Sequence, residues 1–233
     1  MARNTRAAQP QAPSDTEERD VPRTGTGPAA PVTPRGEATR RRILDAAEHV
    51  FGEMGYYEAS VSDIARSAGV AQGTFYIYFR SKRDIFIELV EDMGHRVRTA
   101  MSEAIVDTPD RLEAERRGFA AFFTFVTEHR RIYRIVQEAE RVAPEVARTY
   151  YERISAGYVR GLKSAMESGT VREVDPEAIS YALMGIGHFL ALRWLIWPQD
   201  RGEADGAPHI PTCIFESMME FITHGLSPDQ HAS

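Results

Sequence analysis

Ile43, Ala46, Ala47, Val50, Phe51 and Met54 recur at i, i+3, i+4, i+7, i+8 and i+11, the single apolar stripe of an amphipathic helix. Thr39 is placed to cap its start and Gly55 to end it. Ser60-Val-Ser-Asp63 has the spacing of a capping box, and Val61, Ile64, Ala65 and Ala68 follow at helical intervals. Gly69 closes this short helix, and a third is predicted over about 72–76. Ser81-Lys-Arg-Asp84 reads as a second capping box, opening a long helix that carries Ile85, Phe86, Leu89, Val90, Met93 and Val97 on one face. Further helices are expected over roughly 110–128, 130–140, 145–168, 176–197 and 210–224, punctuated by Pro109, Pro144, Gly169 and Pro198. Strand alternation never takes over. The expected fold is all-α: three short helices, then a larger bundle of about six.

The segment before residue 37 differs in kind. It holds six of the 13 prolines and almost no large apolar side chains, so it cannot bury enough surface to offset the entropy of ordering it. The expected organisation is therefore a disordered tail over 1–36, a small domain over 37–83 and a larger one over 84–233.

Charge changes the picture only when divided. The 233-residue chain carries −6 overall, which does not suggest a polyanion binder. Residues 1–36 and 37–83 each carry +1, however, while 84–233 carry −8. Any contact with nucleic acid must then be local. Cys213 is the sole cysteine, which excludes an internal disulfide and a multi-cysteine zinc cluster and fits a reducing compartment. The longest uncharged run, residues 178–192, has 15 residues, short of the ~20 that a membrane span needs. With no apolar leader at the N-terminus, a cytoplasmic protein without membrane contact is expected.

The stretch GVAQGTFYIYFRSK, residues 69–82, joins four aromatic side chains to a cluster of cations. A short helix, a glycine turn and a second short helix make the helix-turn-helix plan. Phe75 is expected to plug the space between the helices, leaving Gln72, Gly73, Thr74, Tyr76 and Ile77 partly outward. Glutamine can read adenine in bidentate fashion, and Thr and Tyr hydroxyls suit phosphates or base edges. Arg40, Arg41 and Arg42, like Lys82 and Arg83, are expected in first helical turns, where cations oppose the helix dipole unless an anion sits there. Phosphates would make sense of both ends.

The run SVSDIARSAGVAQGTFYIYFRSK, with TRRRILDAAEHVFGEMGY before it, closely resembles the tetracycline-repressor family over about residues 39–90. That resemblance implies a DNA-binding domain followed by a ligand-binding and dimerisation domain, in a ligand-responsive homodimer on palindromic operator DNA. It implies recognition-helix contacts by Gln72, Thr74 and Tyr76, with Gly73 beside them on the outward face as a further candidate, and phosphate contacts by Tyr78 and Lys82. Arg41 joins them as a cation beside the motif, and Ser60 and Ser62 match the start of the preceding helix. One departure is Ala71, where many members have a capping serine.

Candidate effector contacts are Phe122, Phe123 and Val126 on one stripe, Tyr158 on another, and His188 and Trp194 on the apolar helix near the C-terminus. Two readings stand for these side chains: ordinary core, or the wall of a pocket for an apolar or aromatic effector with or without an acyl chain. The last two helices, with Ile179, Met184, Gly187, Leu190, Trp194, Phe215, Met218 and Phe221, offer the most apolar surface for a dimer contact. Neither a GxSxG elbow, a phosphate loop nor an HExxH pair is present, so an enzyme is not expected, and no metal or cofactor is implied. The reading is a repressor released by a small-molecule effector. An activator would use the same DNA-binding surface, and a helical adaptor would leave the helix-turn-helix and its cations unexplained.

Overall fold

The computed structural model describes residues 33–108, 110–200 and 208–228. Most of the expected tail, 1–32, lies outside the described residues. The described elements are helices: α1 (Pro34–Glu58), α2 (Val61–Ser67), α3 (Gln72–Tyr78), α4 (Lys82–Ala104), α5 (Arg111–Glu128), α6 (Arg130–Val142), α7 (Pro144–Glu167), α8 (Pro176–Ala191), α9 (Trp197–Asp200) and α10 (Thr212–Leu226), with one π-helical turn, Leu192–Ile196, joining α8 to α9.

The first helix is not short. It runs for 25 residues, because Thr33 caps it by accepting from the Gly36 amide and Pro34 occupies its first turn. Thr39 is therefore interior, its hydroxyl donating to the Arg35 carbonyl. Arg40, Arg41 and Arg42 lie beyond the first turn, so the expected opposition to the helix dipole does not arise there. Gly55 breaks the helix as expected, with φ 77°, a conformation that costs glycine little.

The capping box of α2 forms fully: Ser60 Oγ accepts from the Asp63 amide at 3.1 Å, and Asp63 Oδ2 accepts from the Ser60 amide at 3.1 Å. That of α4 is half made. Ser81 Oγ accepts from the Asp84 amide, but the Asp84 carboxylate reaches one residue further back, to the Arg80 amide.

Two main clusters hold the fold. The first joins Ile43, Phe51, Ile64, Phe75, Phe79 and Phe86 of the N-terminal helices to Ile135, Ala139 and Ala147 of α6 and α7, so apolar packing continues past residue 83. The second lies between α5, α7, α8 and α10, around Phe119, Phe123, Leu162, Leu195 and Met219. By length and composition alone, Pro176–Ile196 would suffice to cross a membrane. In the fold this helix turns Leu183, Ala191 and Leu195 into the second cluster, as a core helix does.

Candidate functional site

The four aromatics of residues 75–79 divide by helical position. Phe75 and Phe79, one turn apart, are fully buried with ring centroids 5.6 Å from each other. Tyr76 stands out at 48% exposure, and Tyr78 is half-buried against the first cluster. Phe75 thus plugs the α1–α2–α3 junction and turns the rest of α3 outward.

Outward lie Gln72, Gly73, Tyr76 and Ile77, with Thr74 half-buried beside them. No protein atom lies within 4 Å of the position a Cβ at Gly73 would take, so backbone is open to approach there. Ser62 Oγ donates to Gln72 Oε1 at 3.3 Å, tying the start of α2 to the start of α3. Ser62, Gln72, Gly73 and Tyr76 therefore share one exposed face. Ala71 caps α3 with no side-chain hydrogen bond, leaving the first amides of a seven-residue helix without a side-chain acceptor.

The cations are differently placed. Lys82 Nζ donates to Tyr56 O at 2.9 Å and to Ala59 O at 2.7 Å, and lies 4.5 Å from the centre of the Tyr56 ring. It closes the C-terminal end of α1, where the helix leaves carbonyls without amide partners. Arg40 pairs with Glu88 and lies over the Phe79 ring; Arg41 pairs with Asp45 at 2.9 Å and reaches Asp92 at 4.0 Å. Arg83 meets Glu145 at 2.5 Å. Ser60 Oγ is engaged in its cap.

The larger domain encloses an apolar cavity of about 50 Å³ among α4, α5, α6, α7 and α8. Of the six expected residues, Phe122, Tyr158 and His188 line it. Phe123 and Val126 do not, because their side of α5 packs into the second cluster. Trp194 does not either. Seven residues after Gly187, it would share that face in a straight helix, but the π-helical turn widens the spiral, the Trp197 amide bonding to Leu192 O. Trp194 instead lies under the Arg193 guanidinium.

Tyr133, Val136 and Gln137 on α6 and Tyr150, Tyr151 and Ile154 on α7 complete much of the wall. Helical spacing, i, i+3, i+4 on α6 and i, i+1, i+4 on α7, was the available signal; which neighbour they faced was not. Tyr133 Oη and His188 Nδ1 are 2.6 Å apart and form the polar contact at the cavity. Burial pushes the His188 pKa below its usual value, against a small opposing effect of Glu140, so the imidazole is neutral near pH 7. Burial also raises the phenol pKa values of Tyr133, Tyr150 and Tyr158, and that of Tyr151 to about 12, keeping all four protonated. Gly187 faces this interior rather than a second subunit. A Cβ there would stand 3.2 Å from Phe119 and 3.4 Å from Phe122, so glycine lets those rings approach α8. No group of three His, Cys, Asp or Glu residues able to hold a metal occurs among the described residues.

Comparison with known proteins adds to this geometry. The profile of bacterial regulatory proteins of the tetR family matches residues 43–89. The fatty acid metabolism regulator protein of Bacillus subtilis is 30% identical over 136 residues, 57% of this chain and 70% of that protein. The chain belongs to the TetR family. It is a transcriptional regulator with an N-terminal helix-turn-helix and a helical C-terminal domain. The HTH-type regulator YdgC, also from Bacillus subtilis, is 28% identical over 202 residues, 83% of this chain and 95% of its own length. Among solved structures, that of FadR from Bacillus subtilis in complex with stearoyl-CoA superposes with a TM-score of 0.63 at 24% identity, covering 79% of this chain and 98% of that one. At that identity the likeness is one of fold.

Proposed function

We propose that this regulator is a repressor that binds palindromic operator DNA as a homodimer and is released by an effector with an extended apolar portion, of fatty acyl type. The observation that carries this reading is the apolar cavity among α4 to α8, with the hydrogen-bonded pair Tyr133 and His188 on its wall. At about 50 Å³ it is far smaller than the ~300 Å³ at which ligand pockets typically begin. An effector must therefore push the wall apart, including Val97 and Met101 of α4 and Tyr133 of α6, and α4 and α6 also pack against the N-terminal helices through Phe86, Leu89, Ile135 and Ala139.

Base reading is assigned to Gln72, Gly73, Thr74 and Tyr76, with Ser62 steadying Gln72 and Tyr78 at the edge of the surface. Arg41 and Ser60 contribute through the pairs and caps that shape this face. One short recognition helix reads only a few base pairs, so two copies about 34–36 Å apart, or a multiple of that, are needed. The dimer contact is assigned to α8 and α10. Phe189 and Phe221 are 64% and 71% exposed there, beside a groove that includes Ile186, Leu190, Ile214 and Met218. Met184, expected at that contact, lines the inner cavity instead, and Phe215 packs on Phe123.

Similarity to the Bacillus subtilis fatty acid metabolism regulator protein, and to the structure of FadR from the same species with stearoyl-CoA, supports the same reading. Gel-shift titration against DNA upstream of the protein's own gene, with and without long-chain fatty acids and acyl-CoAs, tests the reading. Operator release by an acyl compound is expected. Binding of that DNA with no response to any of them would overturn the effector assignment, and transcription that rises on addition of the protein would make it an activator.

A further inference from the structure

A second cavity, of about 540 Å³, lies against α4, α5 and α7 and shares Met101, Ile154 and Tyr158 with the inner one. Its character is opposite. Arg98, Arg111, Arg153 and Arg160 line it, against one acid, Glu115. Glu115 is 2% exposed and pairs with Arg111. Among the described residues no ion pair within 4.0 Å involves Arg98, Arg153 or Arg160. What is unusual is their gathering: three cations without an ion pair line one cavity in a region whose net charge is −8.

Two further features mark the place. Arg111 Nε is buried without a hydrogen-bond partner, an arrangement that costs stability unless something is gained from it. Its guanidinium lies across α7 at Gly161, where any side chain would collide with it. Burial first, and then the neighbouring charge of Arg153, push the Arg98 pKa below its usual value.

We propose that this arginine-lined cavity seats a phosphate-bearing head group whose apolar portion runs past Tyr158 into the inner cavity. The inference rests on the effector reading above and narrows it to phosphorylated acyl carriers such as acyl-CoA, as distinct from free fatty acids. A single carboxylate would answer one of the cations. Phosphates carry more charge and accept paired N–H donors from guanidinium groups, which suits several arginines at once. Tyr158 stands where the two chemistries meet, its ring 5.9 Å from the Arg111 guanidinium carbon.

The test uses the full chain and three probes: stearoyl-CoA, stearate and coenzyme A, each titrated calorimetrically into wild type and into the Arg153→Ala/Arg160→Ala variant. Both side chains are exposed and unpaired, so the melting temperature should not change. Wild type is expected to bind stearoyl-CoA at least roughly tenfold more tightly than stearate, as a few charge-assisted hydrogen bonds provide. The variant should lose that advantage while holding stearate within about twofold, and Arg153→Lys/Arg160→Lys should recover part of it. Equal affinity of wild type and variant for stearoyl-CoA overturns the head-group site but leaves the apolar-effector reading standing. Arginine-dependent binding of coenzyme A, with no gain from the acyl chain, supports the site and sinks the apolar-effector reading. Absence of binding by all three probes overturns both.

Discussion

The backbone amide of Tyr56 donates a 2.8 Å hydrogen bond to the carboxylate of Glu138, 82 positions along the chain. It fastens the kink of α1 to α6, and Arg131 adds a second tie to Glu53 at 2.7 Å. The same helix presents Tyr133, Val136 and Gln137 to the inner cavity. α6 therefore touches the cavity with one face and the DNA-binding helices with another, alongside the route through α4.

Glu138→Ala removes a charged acceptor from that amide and should lower the unfolding free energy by about 1.5–3 kcal/mol. Glu138→Gln, which keeps an acceptor oxygen, should lose less. Chemical denaturation reads the stability, and operator titrations with and without acyl-CoA read the coupling. If Glu138→Ala left both unchanged, α6 would not be the link described.

Lys82 and Gln72 should behave differently when changed. Lys82→Met keeps the stem but loses the bonds to Tyr56 O and Ala59 O, so it should cost roughly 1–3 kcal/mol of stability, with weaker DNA binding as a consequence. Gln72→Ala should leave stability within about 0.5 kcal/mol, since it is an exposed change. It should relax the preference at one base pair of each half-site, at ~1–3 kcal/mol on the cognate sequence. A Lys82→Met protein of unchanged stability, whose salt dependence falls by about one phosphate, would return Lys82 to a direct contact.

Phe221→Asp places a charge on the α8–α10 face without disturbing the core of the subunit, the side chain being 71% exposed. Sedimentation should show a monomer that is still folded, with operator affinity lost although α3 is untouched. A Phe221→Asp dimer that binds DNA normally would move the interface elsewhere.

The pKa of His188 is held below its ordinary value by burial. Between that ordinary value and the depressed one, the unfolded chain binds more protons than the folded one, so stability rises with pH and is lost as pH falls through the window. The slope from one group cannot exceed about 1.4 kcal/mol per pH unit. His129 is depressed too, by burial and then by Arg96, and acts in the same direction. His188→Asn should flatten the acid-side loss only in part. An unaltered pH–stability profile in that variant would show that His188 does not titrate with folding.

Most helices were legible in the sequence because what specifies them is local, although the start of α1 at Thr33 and the π-helical turn at Leu192–Ile196 were not. The stripe from Ile43 to Phe51, the Ser60–Asp63 box and the glycine turn at Gly69, with φ 63°, each involve residues within a few turns of one another. Helical spacing also separated Phe75 from the outward residues of α3 before any packing was known. Tertiary structure decided what long side chains and adjacent stripes meet. The Lys82 ammonium reaches carbonyls more than 20 positions away, and Arg40 finds Glu88 on another helix. Phe122 lines a cavity while Phe123, its neighbour, belongs to the core, because that depends on how α5 is rotated against α6 and α8. Periodicity sets which residues share a face; only the packing of helices sets what that face looks at.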